Sequence, residues 1–323
     1  MVLWRINMKV VVLNGYKVNY DGNIDYSVLS DEVVVYNDSK PEEILPRCEG
    51  AEVIVTKELV LTPEQVAALP ASVKLICEAG TGYNNIPLPA CREKGIMVCN
   101  IPAYSSERVA HTAVMLMLML ASRMQVQMAM LAKGDRSNFT DHLMVSHTEL
   151  NGKTLGVIGA GHIGGTVIKI AKALDMNILV YTRTPKEDSD GIRYCSLDEV
   201  LAGADYLTLH CPLNDKTRHL INEETIAKMK PTACIINTGR GALIDEPALI
   251  KALQEGRLAG AGLDVQETEP PVADNPLYTM PEVIITPHMG WKGYETRMRL
   301  LDILKADIDG YRTGKIVNRV DNI

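Results

Sequence analysis

The chain has 323 residues, a length that suggests about two domains. Lys and Arg total 33 against 40 Asp and Glu, and the net charge of −7 argues against a general nucleic-acid or anionic-membrane surface. The longest strongly apolar run, 113–121, is about half the ~20 residues of a membrane span, and no basic segment precedes an apolar one as in a secretory signal.

The apolar runs come in two blocks. Strands are predicted at 9–13, 33–36, 53–56, 74–78 and 97–100, then at 154–159, 178–182, 206–210, 233–237, 260–264 and 283–286. Helical patterns separate them, which is the signature of α/β architecture with parallel sheets. Residues 1–7 precede the first strand, which opens at Met8-Lys9, as an upstream start or an unstructured lead-in. An apolar helix over 106–130 joins the blocks, followed by a polar stretch at 133–138. The last helix, 295–311, and the tail 315–323 are expected to return to the first block. The fold expectation is therefore two Rossmann-like or flavodoxin-like parallel-sheet domains with a cleft between them. The first is discontinuous, 1–103 with 296–323, and the second covers 104–295.

The seven cysteines are irregularly spaced and include no Cys-x-x-Cys pair, so free thiols in a reducing, cytoplasmic setting are expected. No His-Glu-x-x-His unit occurs, and no metal is expected. A single Phe stands against fifteen Met, six of which (Met115, Met117, Met119, Met124, Met128 and Met130) fall within the joining helix.

The predicted strand at 154–159 runs into Gly159-Ala160-Gly161-His162-Ile163-Gly164, a G-x-G-x-x-G turn opening a helix. The first glycine permits the tight turn, the second lets the main chain approach a pyrophosphate, and the third allows close helix–strand packing. A glycine turn without a ligand is the competing reading. At the next strand end an NAD site usually carries an acidic residue for the ribose 2′-hydroxyl. Here Thr182-Arg183-Thr184 follows Tyr181 instead. Arg183 can pair with a 2′-phosphate and the threonine hydroxyls can donate to it, so NADP(H) is favoured, with NAD(H) as the alternative.

The other strand ends deliver His210-Cys211-Pro212, Thr238-Gly239-Arg240, Asp264 and Thr286-Pro287-His288, with Glu269 five residues beyond Asp264. Ligands of a doubly wound sheet gather at such ends. A surface ion-pair arginine, a loop glutamate and a structural histidine are the alternative readings of Arg240, Glu269 and His288.

Taken together, these stretches resemble the D-isomer-specific 2-hydroxyacid dehydrogenase family. The matching motifs are the glycine turn, Asn237-Thr238-Gly239-Arg240-Gly241, Gly262-Leu263-Asp264-Val265, Glu269-Pro270 and Thr286-Pro287-His288. In the first block they are Glu78-Ala79-Gly80-Thr81-Gly82-Tyr83-Asn84-Asn85-Ile86 and Asn100-Ile101-Pro102-Ala103-Tyr104. The segment Ala103-Tyr104-Ser105-Ser106 is most similar to the glycerate dehydrogenase and hydroxypyruvate reductase branch.

The resemblance implies an oxidoreductase that reduces a small 2-oxo acid, hydroxypyruvate or glyoxylate, by hydride transfer from NAD(P)H. It implies Arg240 as the group that fixes and polarises the oxo acid and His288 as the acid–base residue. Glu269 would orient the imidazole and stabilise its imidazolium form. The implied substrate contacts are Ala79, Gly80, Thr81 and Gly82 with Arg240 and His288. The implied cofactor contacts are the glycine turn, Thr182 to Thr184, His210, Cys211, Pro212, Thr217, Thr238, Gly239, Asp264, His288 and Gly290, with Asp264 toward the nicotinamide amide. Relatives dimerise through the region 106–150, and flexible thioethers suit such a contact, with Met124, Met128 and Met130 as the better candidates. His111 and Arg108 depart from the usual family residues near the substrate entrance. Some relatives act as corepressors, so a dinucleotide-sensing protein is the alternative from another functional class.

Overall fold

The computed structural model describes residues 8–184, 186–270 and 272–321. The lead-in expected over residues 1–7 lies outside them. The chain divides into two compact units, one formed by residues up to Ser105 with those from Lys292 onward, the other by Ser106–Trp291.

The first unit holds strands β1 (Lys9–Val12), β2 (Glu32–Val35), β3 (Val53–Thr56), β4 (Leu75–Glu78) and β5 (Met97–Cys99), in the order β2-β1-β3-β4-β5. All neighbours are parallel. β3 and β4 are buried throughout, as strands covered on both faces must be, and their Val, Ile and Leu content follows. The edge strand β2 is only partly covered. The long helix Tyr294–Thr313 packs in this unit, and the tail behind it reaches β5. Asn100 N donates to Asn318 O at 3.2 Å and Val320 N to Val98 O at 2.8 Å.

The second unit holds β6 (Thr154–Ile158), β7 (Asn177–Tyr181), β8 (Ile192–Tyr194), β9 (Tyr206–Leu209), β10 (Cys234–Asn237), β11 (Gly260–Leu263) and β12 (Val283–Ile285). Their order is β12-β11-β10-β9-β6-β7-β8, again parallel throughout. Strand order reverses beside β6, so a switch point opens between β6 and β9. Two apolar layers cover the sheet, one built around Leu207, Ile235 and Leu249, the other around Val157, Leu116 and Val167. With both units built on parallel sheets, the expected α/β architecture holds.

Two expectations need correction. β8 was not anticipated, because Ile-Arg-Tyr is short and only partly covered. The continuous helix over 106–130 is two helices, Ser106–Ala121 and Met124–Ala132, bent by 69°. Arg123 adopts a left-handed φ of 46°, which ends the first helix, and the free carbonyl of Ala121 accepts from Thr148 N at 2.9 Å. No single described helix is long and apolar enough to cross a membrane.

The bend sorts the methionines. Met117 is buried, and Met115 and Met119 pack partly against the core. Met124 and Met128 are exposed, while the sulfur of Met130 accepts from Asn138 Nδ2 at 3.5 Å.

Candidate active site

Register decides what stands on the carboxyl edge of the second sheet. Tyr181, Ile158, Leu209, Asn237, Leu263 and Ile285 are partners across neighbouring strands. The residues that follow them are therefore delivered to one row: Thr182, Gly159, His210, Thr238, Asp264 and Thr286.

At the switch point Gly159 has φ of 94°, and a Cβ there would stand 2.8 Å from the main chain of His210 and Cys211. Only glycine satisfies both conditions. A Cβ on Gly164 would fall 2.1 Å from Gly159 O, so the third glycine sets the helix against the turn. Around Gly161 the space is open. The helix His162–Ala173 begins there without a side-chain cap, and among the described residues nothing accepts from the N–H groups of His162, Ile163 and Gly164. Unpaired N–H groups at a helix start are donors for an anion.

Nearby, the Thr238 hydroxyl is buried without a hydrogen-bond partner. A buried hydroxyl is ordinarily paired, so this atom and the open face at Gly161 fit a bound dinucleotide. Thr182 and Thr184 close a turn, Thr182 Oγ1 donating to Thr184 O at 2.7 Å. Arg183 beside them is exposed and has no partner among the described residues. Two expected contacts are already occupied. Thr217 Oγ1 donates to Pro212 O at 2.7 Å and accepts from Asn214 N at 2.8 Å, so it shapes its own loop. His210 Nε2 lies 2.9 Å from Thr208 Oγ1, and burial lowers His210 to about 4, leaving it neutral. Burial also raises the Cys211 thiol, which offers no thiolate.

Two loops bring His288 and Glu269 together. His288 Nδ1 lies 2.8 Å from Glu269 Oε2, and Glu269 Oε1 accepts from Gln266 N at 3.0 Å. The imidazole is thus oriented by a carboxylate that is itself fixed, leaving Nε2 for other chemistry. His288 has a left-handed φ of 48°, unusual outside glycine. Asp264 holds that backbone. Its buried carboxylate accepts from Thr286 Oγ1 at 2.6 Å, Met289 N at 2.9 Å and Gly290 N at 2.8 Å. The family resemblance implies a cofactor amide as partner of this carboxylate; its partners within the chain are residues flanking His288.

Arg240 is exposed, its guanidinium donating to Gly239 O at 2.9 Å. Asn237, buried at the end of β10, fixes the turn beneath it by accepting from Gly239 N at 3.0 Å and donating to Arg240 O at 2.9 Å. The motif around Arg240 implies no role for Asn237; the structure makes it the brace of the turn.

In the first unit, the loop after β4 carries Ala79 to Gly82. Gly80 O accepts from Ile101 N at 2.9 Å, Thr81 O from Asn100 Nδ2 at 2.8 Å, and Thr81 Oγ1 donates to Ile101 O at 2.9 Å. The carbonyls are engaged, whereas nothing among the described residues accepts from the N–H groups of Gly80, Thr81 and Gly82. Beneath the loop lies the buried Lys57, 2.8 Å from Glu58 Oε1 and close enough that a Cβ on Gly80 would stand 2.9 Å from its Nζ. Glu78, buried beside it, accepts from Thr56, Asn85 and Glu58 N, and burial raises its carboxyl. Neither Lys57 nor Glu58 was singled out in the sequence, because a lysine before a loop normally reads as solvated.

Glycine turn, helix start and switch point together define a nucleotide-binding α/β protein. The model of the D-isomer specific 2-hydroxyacid dehydrogenase NAD binding domain matches residues 114–290. The hydroxypyruvate reductase of Blautia hydrogenotrophica is 37% identical over 326 residues, covering 97% of this chain and 100% of that protein. A glyoxylate reductase structure from Paecilomyes thermophila matches with a TM-score of 0.81 and 32% identity, over 97% of this chain and 98% of that one. The NADPH-dependent glyoxylate/hydroxypyruvate reductase of Sinorhizobium meliloti, in complex with NADP and malonate, matches with a TM-score of 0.82 and 27% identity, over 97% and 96%. The chain belongs to the D-isomer specific 2-hydroxyacid dehydrogenase family, and its cofactor is a nicotinamide dinucleotide.

Proposed function

We propose that this protein reduces small 2-oxo acids, hydroxypyruvate or glyoxylate, to the D-2-hydroxy acid with NADPH in preference to NADH. The observation that carries the reading is the His288–Glu269 pair on the same sheet edge as the glycine turn and Arg240. A bound reduced nicotinamide would supply the hydride for the substrate carbonyl carbon. Arg240 pairs with the substrate's carboxylate and carbonyl oxygen, drawing negative charge toward the oxygen. His288 delivers the proton to that oxygen from Nε2, while Glu269 holds Nδ1 and stabilises the imidazolium. The N–H groups of Gly80 to Gly82 serve as carboxylate donors. The open face at Gly161 and the N–H groups of His162, Ile163 and Gly164 serve the pyrophosphate, with the hydroxyl of Thr238 and the Cys211–Pro212 and Gly239 backbones lining the cofactor.

The exposed Arg183, with no acidic residue at the end of β7, supports the preference for a 2′-phosphate. Residues 1–103 with 296–323 take the substrate-binding role and 104–295 the dinucleotide-binding role. The exposed Met124 and Met128, continued by Leu131, Phe139, Leu143 and Met144, support a homodimer through 106–150. Seven free cysteines support a cytoplasmic setting.

A steady-state panel of glyoxylate, hydroxypyruvate, pyruvate and bulkier 2-oxo acids, each with NADH and NADPH, tests the reading. Turnover of the small acids with NADPH is expected. Tight NADPH binding without turnover of any acid would support a dinucleotide sensor instead.

A further inference from the structure

The two loops that bear Arg240 and Glu269 are joined by residues with no part in the chemistry above. His219 Nε2 lies 2.6 Å from Glu267 Oε1. Beside a carboxylate at that distance the ring nitrogen carries the proton and donates it. The main chain of His219 belongs to the other loop: His219 N donates to Ala242 O at 2.8 Å, and Ile221 N to Leu243 O at 3.0 Å. His219 also has a left-handed φ of 50°, a conformation kept only where surroundings impose it.

Glu267 is gripped from a third side. Its N–H donates to Glu246 Oε2 at 3.3 Å, and Glu246 N donates to Glu267 Oε2 at 3.4 Å. Glu246 in turn accepts from Asn275 Nδ2 at 2.8 Å. At Gly241 the two loops touch main chain to main chain: a Cβ there would stand 1.9 Å from Gln266 O and 2.4 Å from Glu267 N. Gln266 N is the donor to Glu269 Oε1. The charged groups around the pair are Arg218, 3.8 Å from Glu267 Oε1, and Glu246, with Arg240 and Glu269 farther along the two loops.

We propose that His219 and Glu267 are positioning residues, a clamp that ties the Glu269 loop to the Arg240 turn and thereby sets how Glu269 meets His288. The proposal rests on the roles given above to Arg240, Glu269 and His288. Loosening the clamp takes the Glu269 carboxylate away from the imidazole, so His288 loses the hydrogen-bond partner that fixes its ring.

The test compares His219→Ala, Glu267→Gln, Glu269→Gln and the His219→Ala/Glu269→Gln double variant in glyoxylate or hydroxypyruvate reduction. With the clamp, His219→Ala lowers kcat by about 10- to 100-fold, the scale of a small misplacement of reacting groups, with KM for NADPH unchanged. Glu269→Gln lowers kcat in the same way, and His219→Ala adds nothing to it in the double variant. His219→Gln, which keeps a side-chain N–H donor, recovers most of the loss. If Glu269→Gln lowers kcat but His219→Ala and Glu267→Gln leave it in place, the clamp is wrong and the site reading stands. A loss that follows only the melting temperature, or that multiplies with Glu269→Gln, also overturns the clamp. Should Glu269→Gln leave kcat unchanged, the site reading fails and the clamp with it. If His219→Ala does not fold, Glu267→Gln carries the same comparison.

Discussion

His288 and Glu269 meet through one hydrogen bond, Nδ1 to Oε2 at 2.8 Å, and the other carboxylate oxygen is already committed to the main chain at Gln266. The carboxylate is therefore held from two sides. It presents a fixed negative charge to a single imidazole nitrogen.

Replacing Glu269 by Gln keeps the shape and removes the charge. In the proposed roles the carboxylate holds the ring for proton transfer, so kcat for a 2-oxo acid should fall by about 10- to 100-fold in the variant while KM for NADPH stays. An unchanged kcat would separate Glu269 from proton transfer. His288→Asn removes the proposed proton donor itself and should cost about 10²- to 10⁴-fold in kcat.

Arg183→Ala addresses cofactor choice. A hydrogen-bonded charge pair with a 2′-phosphate is worth enough to raise KM for NADPH roughly tenfold or more, while KM for NADH should change little. Equal effects on both cofactors would deny Arg183 that role.

His210 gives a stability prediction with a definite sign. Burial holds it near 4 in the folded chain, against about 6.5 for a free imidazole. Folding therefore disfavours the protonated ring. Its cost is absent above about pH 6.5 and grows as pH falls toward 4, reaching about 2–3 kcal/mol. Urea midpoints at pH 7.5 and 4.5 should converge for His210→Gln relative to the native chain. A pH dependence identical in both would remove His210 from the acid sensitivity.

Gly241→Ala puts a methyl group into the main chain of Gln266, 2.0 Å from its carbonyl carbon. Neither backbone can yield as a flexible side chain does, and overpacking of this kind costs roughly 1–3 kcal/mol or more. The variant should melt lower and lose kcat together. Unchanged melting and activity would mean that the two loops move apart freely.

Met128→Glu tests the exposed apolar face. The native chain should scatter light as a dimer at micromolar concentration and the variant as a monomer, since an unpaired carboxylate is costly in an apolar contact. A native monomer would refute the assignment directly.

Strand positions and the edge they serve were legible because parallel strands are runs of β-branched and aliphatic residues that stop where a polar or glycine residue is delivered. The run before Gly159 and the one before Thr238 show this plainly. β8 escaped because three partly covered residues leave no such run. The break at Arg123 escaped because helical spacing continues through it; a left-handed arginine is set by tertiary packing. Of the candidate site, Arg240, Glu269 and His288 stand in motifs legible along the chain. His219 and Glu267 stand 48 residues apart, and no local periodicity connects them. Asp264 was visible as a residue, but its three donors lie 22 to 26 positions away. Lys57 was hidden by its type, since lysine is among the residues least often buried.

The division of the chain has a bearing on the order in which the protein takes shape during synthesis. Ser106–Trp291 is one uninterrupted stretch, whereas the other unit needs both the residues up to Ser105 and those from Lys292 onward. The helix Tyr294–Thr313 and the strip that bonds β5 leave the ribosome only after Ser106–Trp291 has done so. Domains fold as units during translation, so the later-encoded unit can be complete while the earlier-encoded one still waits. For that interval β5 has no partner on one side, with Val98 and Asn100 still lacking the tail they bond. An unpaired strand edge is where chains join to one another, so this interval is when a nascent chain is most open to aggregation.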